Sequence, residues 1–209
     1  GVLTSKALNL QPRDRVAILG SGGKTTLLRR LAREATVDLI LTTTTHLAPP
    51  GAPGDPPFLP YESHEQFSAA WMGLTGPRRV LTGRFRPGDT KLVGLSPAEV
   101  EGLSRLAGLD LLAVEADGSR GLPAKAHASH EPVLFPGCTL GVAVLGMRAL
   151  GMEVREGRVH RAHLMMLRYG WSEGRRLGLP DLERIADSYL DLLPPGRRVL
   201  VLSQAEAVS

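Results

Sequence analysis

The chain of 209 residues is long enough for one large domain, which at that size buries roughly 70–75% of its unfolded surface. Its 25 Lys and Arg against 21 Asp and Glu give a formal charge of +4 and a pI near 9.6, but the excess is arginine spread along the chain, which fits anionic small molecules and indicates no nucleic-acid stripe. The single Cys138 excludes an internal disulfide framework, no apolar run approaches the roughly 20 residues of a membrane span, and the start lacks the apolar core of a signal peptide, so a cytoplasmic protein is expected.

In chain order, Val16 to Gly20 is an apolar run that predicts a strand. Lys24 to Ala35 predicts a helix with Leu27, Leu28, Leu31, Ala32 and Ala35 on one face and Arg29, Arg30 and Arg33 on another. Between them lies Gly20-Ser21-Gly22-Gly23-Lys24-Thr25-Thr26. Its glycines let the backbone approach a polyphosphate, and the amides at the helix start point toward the anion. Lys24 then sits against the β- and γ-phosphates, and Thr25 stands where a phosphate loop places the hydroxyl that meets Mg²⁺. The full pattern asks for glycine where Ile18 stands, so this is a compact variant, G-x-G-G-K-T-T.

Val37 to Leu41 predicts a second strand that runs into Thr42 to His46. Thr43, Thr44 and Thr45 are candidates to offer hydroxyls to Mg²⁺ or a γ-phosphate at the carboxyl edge of a parallel sheet, and equally the residues that β-propensity alone would put there. Ala48 to Pro60, with six prolines, predicts a stiff loop of the kind that serves as a lid. A helix is expected over Glu62 to Met72 with Phe67, Ala70 and Trp71 on one side, and a short strand over Arg79 to Thr82. A second helix opens on the capping box Ser96-Pro97-Ala98-Glu99 and ends near Gly108.

Asp110 to Gly118 is the second informative stretch, in which Leu111 to Val114 form a continuous apolar run that fits a strand buried on both faces. Glu115 and Asp117 follow at its end. Being two apart on an extended chain they point the same way, so both are candidates to hold one metal ion or to act on an attacking group; the plainer reading is an acidic turn. Arg120, Lys125, His130 and Glu131 then fall in a polar, sharply turning loop, which either holds an anionic substrate beside the metal or is simply solvated. His127 and His130 lack the further ligands of a zinc site. Thr139 to Leu145 predicts another strand, and His160-Arg161 opens a helix through Tyr169. Leu182, Ile185, Ala186, Tyr189 and Leu192 mark a further helix, and Arg198 to Ser203 is the last strand. The sequence stops six residues later, where a doubly wound domain normally continues into a helix, so either a truncated C-terminus or a missing helix is expected.

Together these segments resemble the YqeC-like family of selenium-dependent hydroxylase accessory proteins over nearly the whole chain. The resemblance is carried by Gly20 to Thr26, Thr42 to Thr45, Val114-Glu-Ala-Asp-Gly-Ser-Arg120, Leu122-Pro-Ala-Lys125, His130-Glu-Pro132 and His160-Arg161. It implies a phosphate-loop nucleotide-binding fold and a role in maturing selenium-containing molybdenum hydroxylases, through handling of selenium or of the molybdopterin cofactor.

Residues and resemblance lead to one expectation: an α/β, P-loop NTPase-like fold over 1–209, with a mostly parallel sheet flanked by helices on both faces. The expected activity is Mg²⁺-dependent binding and hydrolysis of ATP or another nucleoside triphosphate. In it Lys24, Glu115 and Asp117 serve the chemistry, Thr25, Glu115 and Asp117 the metal, and Arg120, Lys125, His130, Glu131 and Arg161 the substrate. The expected partner is a molybdenum hydroxylase or its selenium and molybdopterin machinery, with no nucleic acid and no membrane. Two alternatives compete, an ATP-dependent ligase or kinase of the Mur type acting on a small anionic substrate, and a non-catalytic nucleotide switch. At the end of the last strand, Ser203-Gln204-Ala205-Glu206 stands where guanine-specific phosphate-loop proteins place Asn-Lys-x-Asp, so no strong preference for GTP is expected.

Overall fold

The computed structural model describes residues 4–207. Four apolar runs form strands buried along their whole length: β1 (Arg15–Gly20), β2 (Leu39–Thr43), β7 (Leu111–Glu115) and β8 (Leu140–Gly146). They occupy the middle of a seven-stranded sheet completed by β4 (Phe58–Pro60), β5 (Arg79–Gly83) and β9 (Arg197–Ser203), in the order β4-β5-β2-β7-β1-β8-β9, with every neighbouring pair parallel. A strand covered on both faces needs no polar alternation, which is why these segments read as unbroken hydrophobic runs. The edge strand β9 does alternate, with Leu200 and Leu202 exposed and Val199 and Val201 turned inward.

The side-chain period of two divides each strand between the two faces. On one face Val16, Ile18, Leu39, Leu41, Leu111, Ala113 and Val142 pack with Leu28, Leu31 and Ala32 of α2 (Lys24–Glu34). On the other, Ala17, Ile40, Leu112 and Val114 meet Phe67 and Trp71 of α3 (His64–Gly73) and Val100 and Leu103 of α4 (Pro97–Ser104). Further along that face Leu19, Ala143 and Leu145 meet Met165 of α5 (Ala162–Tyr169) and Ile185 and Tyr189 of α6 (Leu179–Asp191). Each such side chain, fully buried, contributes about 1.5–3 kcal/mol relative to exposure. The architecture is therefore α/β, with helices on both faces of a parallel sheet.

Connectivity locates the crevice. The chain leaves β1 through α2 and reaches β2, not the adjacent position. It returns as β7 between β2 and β1, then crosses to β8 on the far side of β1. Connections thus diverge at β1, and open parallel sheets bind ligands outside the carboxyl ends of strands at such a switch point.

Several sequence expectations are corrected. A short helix α1 (Thr4–Ala7) stands in the polar stretch before β1. The proline-rich segment is not wholly irregular, because residues 58–60 form an edge strand, where a proline such as Pro60 is tolerated. The capping box is formed, with Ser96 Oγ accepting from Glu99 N at 3.3 Å and Ser96 N donating to Glu99 Oε2 at 2.8 Å, but the helix it opens stops at Ser104. Ala70 faces solvent, so Phe67 and Trp71 alone anchor α3. A two-stranded antiparallel pair, β3 (His46–Leu47) with β6 (Leu92–Val93), was not anticipated.

Candidate functional site

The loop after β1 is shaped by its glycines. Gly20 has φ 104°, and a Cβ there would stand 2.2 Å from the carbonyl oxygen of Val144; at Gly22, φ 78°, it would stand 2.7 Å from Gly146 Cα. No side chain fits at either position. Ser21 faces down, its hydroxyl 3.0 Å from both Pro123 O and Tyr189 Oη, and Ser203 at the end of β9 donates to Gly22 O. The loop is braced from below by β8, α6 and β9. Residues Gly22, Gly23, Lys24, Thr25 and Thr26 are left lining a cavity of about 1160 Å³. The first turn of α2 carries no acidic residue, so its free amides and dipole present uncompensated positive potential.

Lys24 is 3% exposed. Its Nζ donates to Gly20 O at 2.7 Å and Ser119 Oγ at 3.3 Å, and lies 3.2 Å from Asp117 Oδ1 and 3.8 Å from Glu115 Oε1. Both acids thus address one cation, but they occupy different surroundings. Glu115 lines the cavity, accepting from Thr25 Oγ1 at 3.2 Å; burial pushes its carboxyl up to about 7, against the pull of Lys24. Asp117 lies beneath the cavity, fully buried, where Oδ2 accepts from Gly20 N at 2.9 Å and Lys125 Nζ at 3.1 Å and meets His127 Nε2 at 2.5 Å. Burial alone would raise Asp117, but Lys24, His127 and Lys125 outweigh it and hold the carboxyl below its usual range. Burial also lowers His127, so the neutral ring donates through Nε2 and leaves Nδ1 buried without a partner among the described residues.

The remaining candidates divide. Lys125 is fully buried and reaches Gly118 O at 2.6 Å and Glu131 Oε2 at 2.7 Å as well as Asp117, so it holds the site together from inside. Glu131 and Arg161 line the cavity as a bidentate pair. Burial would raise Glu131, but Arg161 and Lys125 hold it at about 2. Arg120 lines the cavity, whereas His130 is exposed and lies outside it. Of the threonines, Thr43 donates to Glu115 O at 2.8 Å and Thr44 to Val133 O at 2.7 Å, and only Thr45 lines the cavity. Gln204 and His160 also line it, and so do His46, Lys91, Glu156 and His163, which the sequence did not single out. His160 is pushed down to about 4 by burial and by the charges of Arg161, Lys125 and Arg120. Among the described residues five non-glycines have left-handed backbone, and three of them, Arg120, Arg161 and Gln204, line this cavity. That conformation costs on the order of 1 kcal/mol and persists where the surroundings impose it, commonly at binding sites.

The donor set fits Mg²⁺. Thr25 Oγ1 and Glu115 Oε2 are adjacent hard oxygens, and Asp117 Oδ1 behind them is buried without a hydrogen bond. Among the described residues no group of three or more His, Cys, Asp or Glu forms a metal cluster.

The family model described as "YqeC protein" matches residues 16–163. An Escherichia coli (strain K12) protein, named "Uncharacterized protein YqeC", is 32% identical over 155 residues, covering 70% of this chain and 57% of that protein. The chain thus spans little more than half the length of this relative. No solved structure matches.

Proposed function

The chain belongs to the YqeC family, and from the site described above we propose that it binds a magnesium nucleoside triphosphate and hydrolyses it. The observation that carries this reading is the loop that only glycine can form, opening onto the acid-free first turn of an eleven-residue helix, with Lys24 at its start and the Thr25–Glu115 pair beside it. The loop amides hold the phosphates. Lys24 exchanges its present contacts with Gly20 O and the two acids for β- and γ-phosphate oxygens, and at about 4 Å that attraction is on the order of 4 kcal/mol at an effective dielectric near 20, before desolvation. Thr25 and Glu115 hold Mg²⁺, which would neutralise charge developing on the transferred phosphoryl group. Asp117, Lys125 and His127 fix the floor on which Lys24 and Glu115 are positioned. The loop and the adjacent carboxylates support hydrolysis as positioning and charge stabilisation, which is most of what phosphoryl transfer requires.

The physiological setting is taken from the resemblance to selenium-dependent hydroxylase accessory proteins: maturation of a molybdenum hydroxylase in the cytoplasm, driven by the nucleotide cycle. It fits the finding that no helix among the described residues is long and apolar enough to cross a membrane. Calorimetric titration with ATP, GTP and CTP in Mg²⁺, followed by phosphate-release assays with and without molybdopterin or selenium compounds, tests it. Lys24→Ala is expected to lose triphosphate binding by a hundredfold or more. Equal affinity in a folded Lys24→Ala protein would overturn the reading.

A further inference from the structure

The strand order sets out the cavity along the carboxyl edge of the sheet. Gln204 beyond β9 is at one end, the phosphate loop after β1 is in the middle, and Glu115 with residues 118–121 follows after β7. Residues 45–49 after β2 form the other end, with Thr90 and Lys91 carried there by the β3–β6 pair. At about 1160 Å³ the space exceeds the roughly 300–1,000 Å³ of a pocket for one small ligand. A nucleotide seated on the loop leaves one flank over.

The cations on that flank, Arg120 and Lys91, are exposed. Every carboxylate lining the cavity already faces a partner: Glu115 has Thr25 and Lys24, Glu131 has Arg161 and Lys125, and Glu156 has His163. Arg120 and Lys91 also line it, and neither has a hydrogen bond or ion pair among the described residues. Arg120 is moreover held in left-handed backbone, φ 52°, on the turn that carries Ser119 to Lys24. We infer that the flank between β2 and β7 is a second site, where Arg120 and Lys91 receive a small co-substrate bearing a carboxylate or phosphate beside the nucleotide. A guanidinium and an ammonium on the wall of one cavity suit an oxyanion, which can pair with either, better than a neutral ligand, which pairs with neither. The inference rests on the nucleotide reading for what occupies the loop, but not for the charges of the flank.

The test is binding of radiolabelled inorganic phosphate to protein saturated with Mg²⁺ and a non-hydrolysable ATP analogue, so that the γ-phosphate position is filled. One phosphate per chain is expected. Arg120→Ala and Lys91→Ala should each weaken it about tenfold or more, Arg120→Lys should recover part of the loss, and affinity for the analogue should stay within twofold. Malonate in a parallel titration identifies which oxyanion is preferred. Absence of both anions from the saturated protein, or unchanged binding in both alanine variants, overturns the second site. So does an equal loss of analogue affinity in Arg120→Ala, which assigns that arginine to the nucleotide. If the analogue itself does not bind, the nucleotide reading fails, and the titration is made on nucleotide-free Lys24→Ala protein. There, Arg120-dependent phosphate binding sustains the second site and its absence overturns it.

Discussion

The ends of β7 and β2 lie side by side on one edge of the sheet, Thr43 in register with Glu115, and each continues into a short run of polar residues. Glu115 at the one end and Thr45 at the other face the cavity, while Asp117 at the first and Thr43 and Thr44 at the second turn into the protein. What these inward-turned residues carry differs. Below β7 they are charges, with Asp117 ringed by Lys24, Lys125 and His127; below β2 they are neutral hydroxyls bonded to backbone carbonyls. A buried charge stripped of its partner costs far more than a lost hydroxyl bond, so the two strand ends should respond to mutation on different scales.

The largest effect is expected at Asp117. Asp117→Ala removes the one carboxylate that, among the described residues, forms ion pairs with both Lys24 and Lys125 and should cost about 3–5 kcal/mol of stability, while Glu115→Gln should change stability by less than about 1 kcal/mol yet weaken Mg²⁺-dependent binding. Urea denaturation of both variants checks this. Equal losses would erase the distinction between a structural and a cavity-facing acid.

Acid sharpens the same contrast through Glu131, at the outer end of the charged network. Its folded carboxyl is lowered from 4.5 to about 2, so its contribution is complete above pH 4.5 and is lost as the pH falls toward 2, the protonated group being favoured by the unfolded chain. With screening allowed for, the loss is on the order of 2 kcal/mol. Stability measured between pH 5 and pH 3 should fall more steeply for the parent than for Glu131→Gln. Parallel curves would mean that the Arg161 and Lys125 contacts contribute nothing net.

How much of this was legible in the sequence follows from the range of the signals involved. Buried parallel strands, the compact loop and the capping box are local patterns, and each was read close to its observed position. Which of Glu115 and Asp117 faces the cavity was not legible, because the decision lies with His127 and Lys125 ten and eight residues downstream, folded under the strand end. Tyr189 reads as one apolar position on a helix face, yet its hydroxyl sits beneath the glycine loop after β1, against Ser21 and Lys125. His46 and Lys91 reach the cavity through two strands of only two residues each, too short for any periodicity to register.

On the β2 side the expected effects are smaller. Thr43 is fully buried, donates to Glu115 O at 2.8 Å and accepts from Thr45 N at 3.0 Å. Thr43→Val keeps the shape and leaves both backbone groups without that partner, which should cost about 1–2 kcal/mol in thermal or urea unfolding. A neutral result would mean that neighbouring groups or water re-satisfy them.

Thr45→Val should have the smallest effect on stability and the most selective effect on binding. Its backbone amide makes the shorter bond to Thr43 Oγ1, at 3.0 Å, and among the described residues its hydroxyl has a longer one to the same atom, at 3.3 Å, at the cavity wall. Exchanging that hydroxyl for a methyl at a half-exposed strand end keeps the β-branched shape, so stability should hold within about 0.5 kcal/mol. A ligand bonded to the hydroxyl would lose about 0.5–1.5 kcal/mol, or roughly two- to tenfold in affinity. Titrating Thr45→Val with the magnesium triphosphate and, separately, with phosphate in the presence of the ATP analogue shows which of the two neighbouring ligands the hydroxyl meets. Loss of triphosphate affinity alone assigns Thr45 to the nucleotide, and loss of phosphate affinity alone assigns it to the Arg120 flank. If neither affinity changes, Thr45 joins Thr43 and Thr44 as a residue chosen for the strand, and the cavity-facing role at the end of β2 falls away while that of Glu115 at the end of β7 stands.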